Sequence, residues 1–183
     1  MPKESWNKNI NYADVNYCPL RYADVVLMAA EAYNETGTDR QKAWDLLNSV
    51  RTRAEATSIT EANYDEMMSA RKKTHNLTFI DDSTPEGKFR TALYWERGFE
   101  LAFEGQRKYD LIRWGVLGKA LKLFGEISSV NQKENKPYPA YRNFTEGKHE
   151  LFPIPLKEIQ SNPKLNGMNN NCLLYTSDAA DDK

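Results

Sequence analysis

From residue 84 onward, apolar residues return at three- and four-residue steps. Ala92, Trp95, Phe99, Ala102 and Phe103 fall on one stripe, the spacing of an amphipathic helix. Ser83 or Thr84 can cap it, Pro85 suits its first turn, and Glu86 stands three residues after Ser83 in capping-box spacing. Gly105 offers the left-handed residue that closes it. A shorter helix follows and closes at Gly115. In it Arg107, Asp110 and Arg113 lie three apart along one flank, set among Tyr109, Leu111, Ile112 and Trp114. A guanidinium beside a carboxylate and under an indole can sit partly buried, because its planar fork hydrogen-bonds in two directions and its face stacks on rings. The segment reads as a structural lock between two helices, built from Arg97, Glu100, Glu104, Arg107, Tyr109, Asp110, Arg113 and Trp114.

Upstream, residues 21–35 predict a helix with Tyr22, Val26, Ala29, Ala30 and Tyr33 on one face and Gly37 at its end. Thr38 or Asp39 caps a second helix over residues 40–54, whose buried face is Ala43, Leu46, Leu47, Val50 and Ala54. The pair predicts a hairpin of tetratricopeptide-like length, with alanines that permit close approach. Arg51 and Arg53 sit where cations favour a helix C-terminus, and a contact with the region 96–104 is the competing reading. Residues 57–82 are less regular. A polar helix over 61–73, with Met67, Met68 and Ala70 as its thin apolar side, is expected in an exposed insertion. Downstream, Leu117, Leu121 and Phe124 continue a helical period to about Gly125. A long loop with Pro137, Pro139 and Gly147 follows, punctuated by Tyr138, Tyr141 and Phe144. Residues 151–155 are extended, 156–160 make one helical turn, and Asn162-Pro163 stops it, so the chain closes as a strap.

Four ordered blocks carry a resemblance. ERGFELAFEGQRKYDLIRWG resembles the most characteristic segment of the SusD/RagB family, and LRYADVVLMAAEAYNETG with AWDLLNSVRTRA resembles its preceding helix pair. LFPIPLKEIQSNPKL resembles its closing pattern. The resemblance implies an all-α, mostly helical fold. It also implies that residues 1–171 are the C-terminal region of a longer lipoprotein on the outer-membrane surface of Bacteroidetes, anchored through an N-terminus that lies upstream. The implied function is non-enzymatic glycan capture for a TonB-dependent, SusC-like transporter. Sugar contacts in such proteins come largely from loops upstream of these blocks, so no ligand residue is carried over. The alternative is a tetratricopeptide-like module that binds protein or peptide without carbohydrate.

Composition narrows the field further. At 183 residues the chain can bury roughly 70% of its unfolded surface, enough for one ordinary core. A net charge of −1 with mixed signs gives no case for nucleic acid or an anionic membrane. No run reaches the roughly 18 apolar residues of a spanning helix. Cys18 and Cys172 define neither a disulfide framework nor a zinc site. From Cys172 onward the ending CLLYTSDAADDK leaves the family pattern and reads as a non-native tail, residues 172–183.

The sequence holds candidate chemical groups but no catalytic constellation. Glu96, Glu100 and Glu104 repeat at four-residue steps and point three carboxylates from one side of a helix. A carboxylate di-metal site would need Glu-x-x-His companions on other helices, and the spacing occurs only at Glu146 and His149, in a loop. Neighbouring arginines explain the carboxylates better, and no metal or cofactor is expected. Nucleophile elbow, phosphate loop and dinucleotide fingerprint are missing, and no carboxylate pair has a glycosidase pattern behind it. Trp6, Tyr12 and Tyr17 in the polar lead-in have faces suited to a pyranose, but covering a neighbouring surface is the more economical role.

Overall fold

The computed structural model of the protein describes residues 18–127 and 142–165. Trp6, Tyr12, Tyr17, Pro137, Tyr138, Pro139, Tyr141 and the tail from Cys172 lie outside the described residues. Among the described residues there are seven α-helices and no strand. They are α1 (Tyr22–Thr36), α2 (Arg40–Arg53), α3 (Tyr64–Thr74), α4 (Pro85–Glu100), α5 (Arg107–Arg113), α6 (Leu117–Ile127) and α7 (Leu156–Ser161), with a 3-10 turn at Pro163–Leu165. The described chain divides into two compact units, one of residues 18–72 with 80–107, the other of residues 73–79 with 108–127 and 142–165.

In the first unit α1 packs against α2, and both pack against α4. Gly37, at φ 65°, ends α1 in the left-handed conformation that glycine adopts without cost. Asp39 then caps α2 by accepting from the Lys42 amide at 2.9 Å. Ala30 and Ala43 are fully excluded from solvent, and these small side chains let the helices approach closely. Trp44 meets Phe89 of α4 edge to face, with ring centroids 4.9 Å apart.

The buried faces differ from the expected stripes. In α1 the inner face is Ala23, Val26, Leu27, Ala30 and Asn34, while Tyr22 and Tyr33 are exposed. In α2, Trp44 and Arg51 are buried, and Ala54, just past its end, is exposed. In α4, Phe89, Ala92, Leu93 and Tyr94 face inward and Phe99 is exposed, as are Ala102 and Phe103 in the turn beyond the helix. The cause is that α1 and α4 carry apolar residues around more than one flank, so spacing alone admits several stripes.

Helix α4 begins as its sequence predicts: Thr84 caps by accepting from the Gly87 amide at 3.1 Å, and Pro85 occupies the first turn. It ends at Glu100, before the expected Gly105. There the Arg21 guanidinium donates to the Glu100 carbonyl and satisfies one of the orphan acceptors of a helix end. Gly105 is left-handed, at φ 80°, but in the turn beyond.

The insertion also departs from expectation, since Ile59, Tyr64, Met68 and Leu77 are buried. The Asn48 amide anchors it to α2, donating to the Ile59 carbonyl at 2.7 Å and accepting from the Ile59 amide at 2.8 Å. Tyr64 donates its hydroxyl to Asp82 at 2.8 Å.

In the second unit Gly115, at φ 66°, turns the chain from α5 to α6, and Val116, Leu117 and Ala120 are buried. Gly118 leaves room for Phe144: a Cβ there would lie 2.7 Å from the ring. The expected close is present. Residues 152–155 lack regular structure, α7 follows, and Asn162 is extended ahead of Pro163.

Candidate functional site

The chemistry-bearing residues concentrate along α4, in the first unit. Two consecutive charged residues, Glu96 and Arg97, are buried in a helix interior, which costs free energy unless each is met by an opposite charge. Both are met. Arg51 of α2 reaches Glu96, with each side chain 8% exposed. Asp24 of α1 faces Arg97 at 2.7 Å, with side chains 7% and 3% exposed; the approach lies off the hydrogen-bond direction, so charge holds the pair. One helix thus ties itself to each member of the hairpin through a separate ion pair.

The network extends past the helix end. Arg21 donates to Glu104 at 2.8 and 2.9 Å and to the Glu100 carboxylate at 2.5 Å, and Arg53 also reaches Glu100. Burial pushes the Glu100 carboxyl up, but the hydrogen bonds from Arg21 and Arg53 outweigh it and hold the group below its ordinary value. The hydrogen bond to Glu104, with a smaller contribution from the one to Glu100, pushes the Arg21 pKa up against the effect of burial. Of the two readings of Arg51 and Arg53, contact with the carboxylates of α4 is therefore the one observed.

Arg107, at the start of α5, lays its guanidinium 3.8 Å from the Tyr94 ring centroid and donates to the Tyr94 carbonyl at 2.9 Å. Its guanidinium also lies against Gly98, where a Cβ would stand 3.4 Å away. The remaining members of the predicted lock belong to the second unit. Asp110 is buried and accepts from Arg113 at 3.0 Å, Arg113 lies over the Trp114 ring at 4.8 Å, and Tyr109 is exposed.

Several participants were not anticipated. Asp24 and Arg21 carried no role in the sequence reading, yet three carboxylates at four-residue spacing require cations from other helices, and Arg21, Arg51 and Arg53 supply them. Trp95 and Phe99 stack on one another at 5.8 Å, and Arg71 of α3 covers both, 5.6 and 4.8 Å from their centroids. Burial, reinforced by the charge of Arg51, draws the Arg71 pKa down against the opposing pull of Glu96.

No group of three potential metal ligands occurs among the described residues. The His149 ring nitrogen takes the Thr145 amide at 2.6 Å, and Glu150 accepts from the Gly147 amide at 3.0 Å, so these loop residues serve the local turn. The second unit has a hollow of about 320 Å³ with Leu111, Ile112 and Leu117 at its apolar side and Lys119, Glu146 and Glu150 among its polar lining. Among the described residues no helix is long and apolar enough to cross a membrane.

Comparison with known proteins agrees with this helical scaffold. The SusD family model matches residues 2–172. Two SusD-like proteins of Formosa agariphila are 36% and 33% identical over 166 and 153 residues, covering 87% and 84% of this chain and 26% and 25% of their own lengths. Among solved structures, a SusD homolog from Bacteroides thetaiotaomicron is 35% identical, with TM-score 0.56, over 81% of this chain and 26% of its own. A SusD superfamily protein from Bacteroides vulgatus is 31% identical, with TM-score 0.54, over 82% of this chain and 27% of its own. The chain therefore spans about a quarter of the length of the relatives it matches. It belongs to the SusD family.

Proposed function

We propose that residues 1–171 are the C-terminal region of a longer, non-enzymatic glycan-binding lipoprotein on the outer-membrane surface, which delivers oligosaccharide to a SusC-like TonB-dependent transporter. The observation that carries this reading is the family match over nearly the whole chain, at about a quarter of the relatives' length. Residues 172–183 are a tail foreign to the protein in this reading, and the family match runs to residue 172. Within the whole protein this region acts as scaffold. Arg97, Glu100, Glu104, Arg107, Tyr109, Asp110, Arg113 and Trp114 hold helices rather than ligand. The engagement of Glu96, Glu100 and Glu104 by arginines supports that role, because carboxylates so occupied are poorly placed to act on a substrate.

The test is to recover the full reading frame, purify its product and titrate it against an oligosaccharide panel while assaying release of reducing ends. Binding without release is expected. Release of reducing ends would overturn the non-enzymatic reading, and a folded product that binds no glycan would overturn the carbohydrate reading.

A further inference from the structure

The hollow of about 320 Å³ in the second unit is built from three pieces of chain: α5, α6 and the turn over residues 144–150. It stands at the small end of the roughly 300–1,000 Å³ of ligand pockets, so its occupant is small. Leu111 and Ile112 of α5, Leu117 of α6 and Phe144 give it an apolar lining. The Phe144 ring fits there because position 118 is glycine, and the His149 ring stands 5.9 Å from it. None of the lock residues lines this hollow.

The charged lining is divided by element. Lys119 and Lys122 lie three residues apart on α6, and Glu146 and Glu150 lie four apart in the turn. Among the described residues neither Lys119 nor Glu146 forms an ion pair, so both signs of charge border one hollow without cancelling. Glu150 is the most constrained of the four. Its Oε1 accepts from the Gly147 amide at 3.0 Å, which fixes the carboxylate, while Oε2 is buried and has no hydrogen-bond partner among the described residues. A buried carboxylate oxygen without a donor carries a desolvation cost that a ligand N–H can offset. The turn is itself held: the Thr145 amide donates to His149 Nδ1 at 2.6 Å, and the Thr145 carbonyl accepts from the Lys148 and His149 amides. The acceptor is therefore ordered before any ligand arrives.

We infer that this hollow binds a small zwitterion, a free α-amino acid with a large apolar side chain. The ammonium group donates to Glu150, the carboxylate is met by Lys119, and the side chain lies against Leu111, Ile112, Leu117 and Phe144. The site goes beyond the scaffold role proposed above and gives this region a ligand of its own. Other ligand classes match the lining less well. A neutral sugar brings no charge to either border, an apolar molecule leaves the Glu150 oxygen without a donor, and a simple amine leaves Lys119 without an anion. Hydrogen bonds between ionised groups are the strong ones, and only a zwitterion makes them at both borders.

The test is calorimetric titration of the product of the full reading frame with L-phenylalanine, L-phenylalanine amide, N-acetyl-L-phenylalanine and maltotriose. Saturable binding of L-phenylalanine is expected, with the amide and the N-acetyl compound each at least about tenfold weaker, since each lacks one charge. Lys119→Met is expected to weaken L-phenylalanine about tenfold and leave the amide unchanged, because the amide has no carboxylate for that lysine to meet. Glu150→Gln is expected to weaken L-phenylalanine similarly and leave the N-acetyl compound unchanged. Lys119 is exposed on α6, so its variant keeps the test valid should Glu150→Gln disturb the turn. Absence of L-phenylalanine binding would overturn the proposal. Equal binding of all three phenylalanine compounds would overturn it in favour of apolar capture alone, and unchanged affinity in Lys119→Met would place the amino acid elsewhere. Maltotriose binding that Lys119→Met abolishes would overturn it in favour of a sugar.

Discussion

Replacing Asp24 by alanine removes the carboxylate that faces Arg97 and leaves a guanidinium 3% exposed on α4 without that countercharge. Stripping one partner from a buried ion pair costs about 3–5 kcal/mol, because the remaining charge keeps its desolvation penalty and loses its compensation. For a chain of this size each kcal/mol moves the midpoint by about 2–4 °C, so the melting temperature is expected to fall by roughly 6–20 °C. The control is Arg90→Ala, which breaks the pair with Glu35. Those side chains are 51% and 40% exposed, and an exposed pair contributes about 1 kcal/mol or less. Thermal unfolding of both variants, followed by circular dichroism at 222 nm, compares them directly. A double variant, Asp24→Leu with Arg97→Met, exchanges the charges for apolar groups and is expected to recover most of the loss. Equal, small shifts for Asp24→Ala and Arg90→Ala would refute the claim that burial sets the cost.

Acid is expected to weaken the fold on its low-pH side. The hydrogen bonds from Arg90 hold the Glu35 carboxyl below its ordinary value against the effect of burial, and Glu100 is lowered in the same sense by Arg21 and Arg53. Their folded pKa values lie below the unfolded ones, so their stabilisation is complete above the ordinary glutamate value of about 4.3 and is lost as pH falls through the lower folded values. Melting temperatures measured from neutrality downward should stay level and then drop below about pH 4; a rise on acidification would contradict the sign. Gly87→Ala tests close packing. In the open first turn of a helix alanine is worth up to about 1 kcal/mol over glycine, but a Cβ at Gly87 would fall 1.6 Å from the Asp81 carbonyl oxygen. The variant is expected to melt lower, and one that melts higher would show that the 81–84 turn yields freely.

Much of the fold is written in local signals. Gly37, Asp39, Thr84, Pro85, Gly115 and Pro163 mark element ends through backbone preferences that act within a few residues, and the structure uses each of them. Facing is harder to read. Trp95 and Phe99 fit a buried stripe by spacing, yet they lie outside the core under Arg71, while polar Glu96 and Arg97 go inside. That choice depends on partners distant in the chain, Arg51 being 45 residues from Glu96, and no local pattern encodes it. The burial of the insertion escapes local pattern for the same reason. Its core residues Ile59, Tyr64 and Met68 are too sparse to form a stripe, and it is Asn48 on α2 that fastens the segment. The sequence shows the charged and aromatic residue types along α4 and α5. It does not show their pairings, since Arg21 meets Glu100 across 79 residues and Glu104 across 83.

These separations bear on how long the folded state survives. The α1 and α2 hairpin closes across a three-residue turn, whereas the ion pairs of α4 close long loops that contain the insertion, a separation that favours their completion late in folding. Contacts completed after the rate-limiting step leave the refolding rate almost untouched and act on escape from the native basin. Stopped-flow measurements on Asp24→Ala should then show unfolding accelerated far more than refolding is slowed. The charges along α4 would set the lifetime of the scaffold rather than the speed of its arrival.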